Sequence, residues 1–494
     1  MVDQKERYGR DIGLFLVLAL AYRIGFFLAM PRVIAVDAIR YAETAQQLGA
    51  GDFPGLDIRI PMLYPAICAL VHGFVGDLEL ACRLVSLMAS ALLVAPVYVL
   101  ARALHGLRAA RIAALVVSIW PWLADFGSRV APESLYVLLW FSSLWAFARS
   151  IRHGGWWLLA APASFFLLHL CRPEGTFLLL AAPLGGLILC ARTKNHSTRR
   201  LVPYILISGV LLAGYACAIW AVSGDVTIAP RVPSVGAGAQ FLYDRGLLVL
   251  RSLATLMNEQ LPVMLGVVLL LFAGAGFFAR GERVRDGRLE SFVLFFAVAQ
   301  LCLAAASSYA HPRYIMPLIV CVLLWSARGI DLVSGQARGL AHGRLLGRLP
   351  VAAVVAFMGL AAAGAVAHER LAPVPQTPRE YKIAGLWMKR NLEPGLVMVR
   401  KPQIGYYADM PTVGPADGVG ISETVALARK CGARYLVIDE RYTARMIPGL
   451  APLLDPKNAP AALELIKADL SPYPTARVVV YRIIGEKESA ADGN

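Results

Sequence analysis

The chain has 494 residues, 58% of them hydrophobic and 16% charged, with a net charge of +15 and a mean hydropathy of +0.59. A water-soluble core cannot hide that much apolar surface, so an ordinary soluble globular protein is excluded and a polytopic membrane protein is expected. The positive charges are spread over separate loops between apolar segments, where they face anionic lipid headgroups, and the basic balance therefore carries no nucleic-acid-binding reading.

Apolar segments near the length that a hydrocarbon layer of about 30 Å requires predict about eleven transmembrane helices. They lie at 11–30, 80–104, 109–124, 133–149, 156–171, 174–191, 201–222, 261–280, 291–308, 314–328 and 350–367. The first is longer than a signal-peptide core, contains Tyr22 and Arg23, and lacks a small-x-small cleavage site, so it reads as retained. Arg23 is expected to snorkel to the nearby surface.

A long outer loop, 31–79, follows. Asp37 to Leu48 carries apolar or small residues at Ile39, Ala42, Ala45 and Leu48, and Pro61 to Phe74 opens on a proline suited to a helix start. Both are predicted to be helices lying along the membrane surface. Asp37 stands just beyond the first span, where it is either a helix N-cap or an acid available for chemistry.

The fifth and sixth spans are parted only by Cys171-Arg172-Pro173-Glu174, which predicts a tight turn at the membrane edge. A second outer loop, 223–260, contains Pro230, Pro233, Gly236 and Gly238, a composition suited either to a mobile cover or to a plain connector. Residues 1–370 thus form a membrane domain and 371–494 a small extracytoplasmic α/β domain. In the latter, helices are predicted at Thr377 to Leu392, with a Thr-Pro-Arg-Glu start, and at Glu423 to Lys430; strands are predicted at Gly395 to Val399, Tyr435 to Asp439 and Arg477 to Ile484.

Orientation follows from Lys and Arg in the loops. Basic clusters begin with Lys5, Arg7 and Arg10 and recur around Arg102 to Arg111, Arg149 to Arg152, Arg192 to Arg200, Arg280 to Arg288 and Arg328 to Arg348. With eleven spans all fall on one side, which makes the amino terminus cytoplasmic and the carboxyl-terminal domain extracytoplasmic; the plasma (inner) membrane is the expected location. The eight cysteines show no C-x-x-C and read as packing residues, and no G-x-x-x-x-G-K-[ST] loop is present.

The ordered segments V-D-A-I-R-Y-A-E-T-A with its outer acid, P-M-L-Y-P-A at the start of a surface helix, C-R-L-V-S at the opening of a span, and R-V-A-P-E-S-L, C-R-P-E-G and H-P-R-Y-I-M-P at outer helix ends resemble the membrane-embedded glycosyltransferases of the C-type fold. The branch is that of the protein O-mannosyltransferases and the lipid A aminoarabinose transferase, and the resemblance covers about residues 10 to 370. It implies a sugar donor carried on polyprenyl phosphate and an extracytoplasmic acceptor, which can be a glycan, lipid or protein. No cofactor is certain; a divalent metal ion is allowed by the resemblance alone, since no metal-ligand spacing is visible. The family often has Asp-Glu in the first loop, whereas here Asp37 precedes Ala38, leaving Glu43, Asp57 or Glu133 as sources of a second carboxylate.

Such a transfer needs a base, stabilisation of an oxocarbenium-like centre and a cation for the departing phosphate. Asp37 is the candidate base, chiefly on its family position. Arg172 and Arg313 suit a phosphate through their planar forks, with interfacial anchoring as the plain alternative. Glu133 and Glu174 follow prolines at helix starts and either complement the helix dipole or bind sugar or acceptor hydroxyls. His311 and Tyr314 flank Arg313, and Arg59 and Tyr64 flank the second surface helix, where they line a donor entrance or anchor at headgroup depth. The competing class is a transporter or lipid-linked-glycan flippase, which predicts repeated halves and broken helices; neither is visible in the sequence.

Overall fold

The computed structural model describes residues 2–53, 56–190, 196–224, 247, 263–279, 286–306, 312–338 and 343–484. The predicted lid at 223–260 and His311 therefore lie outside the described residues, apart from the loop's first two positions and residue 247. The chain divides into two compact units, one made of Met1–Ala29 with Tyr41–Ala365, the other of Met30–Arg40 with Val366–Asn494.

The first unit is helical. It begins with α1 (Val2–Ala29), and α2 (Val36–Ala50) enters it from Tyr41 onward. Next come α3 (Leu63–Val75), α4 (Leu78–Leu92), α5 (Val94–His105), α6 (Leu107–Ser118), α7 (Pro121–Gly127) and α8 (Glu133–His153), then α9 (Trp157–Cys171), α10 (Glu174–Cys190) and α11 (Leu201–Ser223). Further helices span Val263–Phe278, Gly287–Ala306, Met316–Arg338 and Leu349–Leu371.

Among the described residues seven helices are long and apolar enough to cross a membrane, or eight if α6 and α7, bent by 50°, count as one span. The expected count of eleven also requires the shorter apolar helices Trp157–Cys171, Glu174–Cys190 and Gly266–Phe278 to cross. Exposed apolar side chains such as Leu14, Val17, Leu206, Val210 and Leu271 mark lipid-facing surfaces.

Buried aromatics and glycines hold the bundle. Phe147 stacks on Phe292 at 5.6 Å and meets Tyr204 edge-on at 4.9 Å. Close backbone approach requires glycine at several of the described positions. A Cβ on Gly329 would strike the backbone of Phe272, and one on Gly175 would strike the backbone of Leu168. The second is what lets α10 fold back on α9 within the short turn predicted at Arg172-Pro173.

Arg23 does not snorkel. It is buried, donating Nε to Ser90 Oγ at 2.8 Å, Nη2 to the Val117 carbonyl at 3.0 Å and Nη1 to the Ser118 carbonyl at 2.5 Å. Those carbonyls belong to the last turn of α6, immediately before Pro121 interrupts the helix, and a helix end in an apolar surround must be satisfied by donors from elsewhere. The snorkelling expectation fails because the cost of orphaned carbonyls outweighs that of an interior cation with enough acceptors.

The second unit has a five-stranded sheet of order β2-β1-β3-β5-β4. Strands β1 (Val397–Val399), β2 (Thr412–Val413) and β3 (Tyr435–Asp439) are parallel, and β4 (Leu463–Lys467) and β5 (Val478–Ile483) complete it with antiparallel pairings. Helices Arg379–Asn391 and Gln403–Ala408 cover one face, around Tyr381, Met388 and Ile404. Helix Ile421–Lys430 and the turns at 448–454 cover the other, around Leu436, Ile438 and Leu450.

The Thr-Pro-Arg-Glu start is not a capping box. The helix opens at Arg379 after Pro378, which makes no side-chain cap, while the Glu380 carboxylate is bound by Arg441 at 2.5 Å and Thr377 N–H goes to Glu369 at 3.0 Å. Burial tends to raise the Glu380 carboxyl, and the Arg441 guanidinium opposes this. Cys217, Cys302 and Cys431 are exposed, so the packing role expected of all eight cysteines holds only for the other five.

Candidate functional site

Three helix starts and ends converge in the first unit. Glu133 opens α8 after Pro132, Arg172 follows the last residue of α9 in an extended conformation, and Glu174 opens α10. The contact of Cys171 Sγ with the Pro132 carbonyl, 3.7 Å, keeps the two turns together.

The Arg172 guanidinium is almost fully enclosed by partners. Nη1 donates to Glu133 Oε1 at 2.8 Å, and Nε and Nη2 form a fork on Glu174, at 3.3 and 3.1 Å. Its plane lies near two rings, with centroids at 4.8 Å for Tyr314 and 5.7 Å for Tyr136. Arg313 approaches the same Glu133 oxygen at 3.6 Å and also lies over Tyr314, at 5.4 Å. A carboxylate buried as deeply as Glu133, 4% exposed at its side chain, is tolerable only because two guanidinium groups share it.

Five of the predicted residues, Glu133, Arg172, Glu174, Arg313 and Tyr314, therefore form one cluster. Sequence reasoning missed three neighbours. Tyr136 donates to Gln300 Oε1 at 2.9 Å, and Gln300 Nε2 donates to the Tyr314 carbonyl at 3.0 Å, which fixes the loop bearing Arg313. Tyr136 lies one helical turn beyond Glu133, and Gln300 is a polar residue inside an apolar helix, so both left a readable signal. The third, Tyr41 on α2, senses the charges of Arg172, Glu133 and Arg313; burial pushes its phenol up while Arg172 opposes that.

Tyr64 and Arg59 do not join this cluster. Tyr64 is fully buried: its hydroxyl donates to the Cys82 carbonyl at 2.9 Å, lies 2.9 Å from Ser86 Oγ and accepts from Ala131 N at 3.0 Å. A side chain with no exposed surface cannot line an entrance, so it serves to lock α3, α4 and the turn before Glu133. Arg59 is exposed and pairs with Asp57 at 2.9 Å, a contact of little energetic weight at a surface.

Asp37 belongs to the second unit. It is exposed in the first turn of α2, not the cap expected for a helix starting at Ala38, because the helix begins two residues earlier, at Val36, and Ala35 accepts the first amides. Its segment is tied to its own unit by Ile34 N–H, which donates to Tyr407 Oη at 2.8 Å. Among the described residues no three His, Cys, Asp or Glu side chains converge. The divalent ion allowed by the resemblance thus finds no set of three such ligands among the described residues.

A family model described as dolichyl-phosphate-mannose-protein mannosyltransferase matches residues 59–220. Among solved structures, ArnT from Cupriavidus metallidurans bound to undecaprenyl phosphate is 15% identical with a TM-score of 0.63, over 96% of this chain and 98% of that one. The archaeal oligosaccharyltransferase AglB from Archaeoglobus fulgidus, in complex with an inhibitory peptide and a dolichol-phosphate, is 13% identical with a TM-score of 0.62, over 91% and 72%. The arabinofuranosyltransferase AftD from mycobacteria is 14% identical with a TM-score of 0.55, over 97% of this chain but 42% of that one. No curated protein matches the sequence significantly. The chain is a multi-pass membrane protein with the C-type fold of membrane-embedded glycosyltransferases and a small carboxyl-terminal α/β domain, the class its sequence motifs led us to expect.

Proposed function

We propose that this chain is a glycosyltransferase that takes a sugar from a polyprenyl-phosphate donor and attaches it to a hydroxyl of an extracytoplasmic acceptor. The observation that carries the reading is the pair of aromatic-backed arginines, Arg172 and Arg313, gathered on one carboxylate at helix ends of this fold. Membrane proteins tolerate buried guanidinium side chains only with a task or with partners.

In the reaction, Asp37 accepts the proton of the acceptor hydroxyl. The acceptor oxygen bonds to the anomeric carbon, the bond from that carbon to the phosphate oxygen breaks, and its electron pair leaves with polyprenyl phosphate. Arg172 and Arg313 neutralise that departing charge through paired hydrogen bonds. Tyr136, Tyr314 and Gln300 keep the forks in plane. The membrane is the plasma (inner) membrane, and on the distribution of Lys and Arg the amino terminus is cytoplasmic and the carboxyl-terminal domain extracytoplasmic.

One observation bears on the flippase alternative. The bent pair α6 and α7 is a broken helix of the kind transporters use. Its freed carbonyls, however, are already held by Arg23, so the break offers those groups to no cargo. The test is transfer by the purified protein in liposomes from an undecaprenyl-phosphate-linked labelled sugar, with comparison of envelope glycans from cells with and without the protein. Flipping of the labelled lipid without release of polyprenyl phosphate would favour the alternative.

A further inference from the structure

The Arg172 fork is filled by a carboxylate of this chain. Glu174 presents both oxygens to Nε and Nη2, at 3.3 and 3.1 Å, in the bidentate arrangement that a phosphate would adopt. The cluster of two arginines and two glutamates is formally neutral, so an arriving phosphate meets no net attraction until one carboxylate withdraws.

The two glutamates are not equivalent. Glu133 makes the shorter bond, 2.8 Å, is shared with Arg313, and has a side chain only 4% exposed. Glu174 makes longer bonds to Arg172 alone, and its side chain is 20% exposed. Moving Glu133 would leave a deeply buried carboxylate without its guanidinium partners, whereas Glu174 exchanges Arg172 for water.

We propose that Glu174 is an internal stand-in for the donor phosphate: it occupies the Arg172 fork when the site is empty, swings out when donor binds, and competes with the polyprenyl phosphate product to speed its release. This rests on the reading of Arg172 and Arg313 as the phosphate-binding cations. It assigns Glu174 a role opposite in sign to a substrate-binding residue, because its removal tightens phosphate binding. Glu133 remains the fixed anchor of both arginines. The leaving group differs from the donor in charge: a sugar phosphodiester carries about one negative charge and the free monoester up to about two. A resident carboxylate therefore opposes the product more strongly than the donor.

The experiment measures equilibrium binding of undecaprenyl phosphate, by titration in detergent, to wild type, Glu174→Gln, Glu174→Asp and Arg172→Lys. The amide keeps the shape but not the charge, so Glu174→Gln should bind at least about three-fold tighter and should show slower multiple turnover than single turnover. Aspartate, one methylene shorter, pulls its carboxylate off the fork and should also bind more tightly, which preserves the test if the amide variant does not fold. Unchanged or weaker binding in the folded Glu174 variants, with loss of binding in Arg172→Lys, overturns the stand-in while leaving the phosphate site intact. Unchanged binding in Arg172→Lys as well removes the underlying reading too.

Discussion

The backbone amide of Ile34 donates to the phenol oxygen of Tyr407 at 2.8 Å, joining positions 373 residues apart. The segment bearing Asp37 is thereby held by the carboxyl-terminal domain and is grouped with it as one compact unit. Tyr407 is itself nearly buried, and the Lys382 ammonium lies 4.8 Å from its ring centroid.

Tyr407→Phe keeps the ring and removes the hydroxyl that accepts from Ile34. A buried amide left unpaired costs about 1 to 3 kcal/mol. Amides 30–40 should exchange with deuterium faster while the sheet strands keep their protection, and transfer should fall several-fold. Exchange at Ile34 identical to wild type would mean that this hydrogen bond does not order the segment.

Asp37→Asn should abolish most turnover with little change in detergent stability, since the side chain is exposed in the first helical turn and the amide cannot take a proton. A positioned base is worth about 10² to 10⁴ in rate. If the variant retains more than about a tenth of wild-type turnover, Asp37 is not the base.

Arg172→Lys and Arg313→Lys separate phosphate recognition from lipid anchoring. Lysine anchors at an interface as well as arginine does, but it cannot make the fork. The loss of a charged hydrogen bond, about 1.5 to 3 kcal/mol, predicts a roughly ten- to hundred-fold fall in catalytic efficiency with unchanged protein levels. Wild-type kinetics in both variants would remove these arginines from phosphate recognition and leave them as internal ion-pair partners of Glu133.

Arg23→Met should lower thermal stability in detergent by about 2 kcal/mol or more, because the Val117 and Ser118 carbonyls lose their donors. The snorkelling alternative expects no change, so a melting temperature equal to wild type would restore it.

Sidedness is checked by thiol labelling of single introduced cysteines in intact cells. Positions near 40 and 420 should label with an impermeant reagent, and positions near 195 and 285 should not, on the Lys and Arg bias of the loops. Labelling at 195 but not at 420 inverts the topology.

The sequence alone determined that this is a polytopic membrane protein with a soluble α/β tail, because apolar length and β-rich runs are local properties. Tyr435–Asp439 was located to the residue as a strand, while the two-residue β2 and the exposed edge strand β4 were missed, having too few buried side chains to leave a pattern. Arg172, Arg313, Glu133, Glu174 and Tyr314 were legible as charged or aromatic residues at helix ends. Only the tertiary structure decided that one buried carboxylate holds both arginines, that Tyr64 is a lock and not an entrance, and that Arg23 caps a broken helix. Each of these depends on which groups meet across 39 to 180 residues of chain. Burial and partnership between distant residues are set by packing, which helical periodicity does not encode.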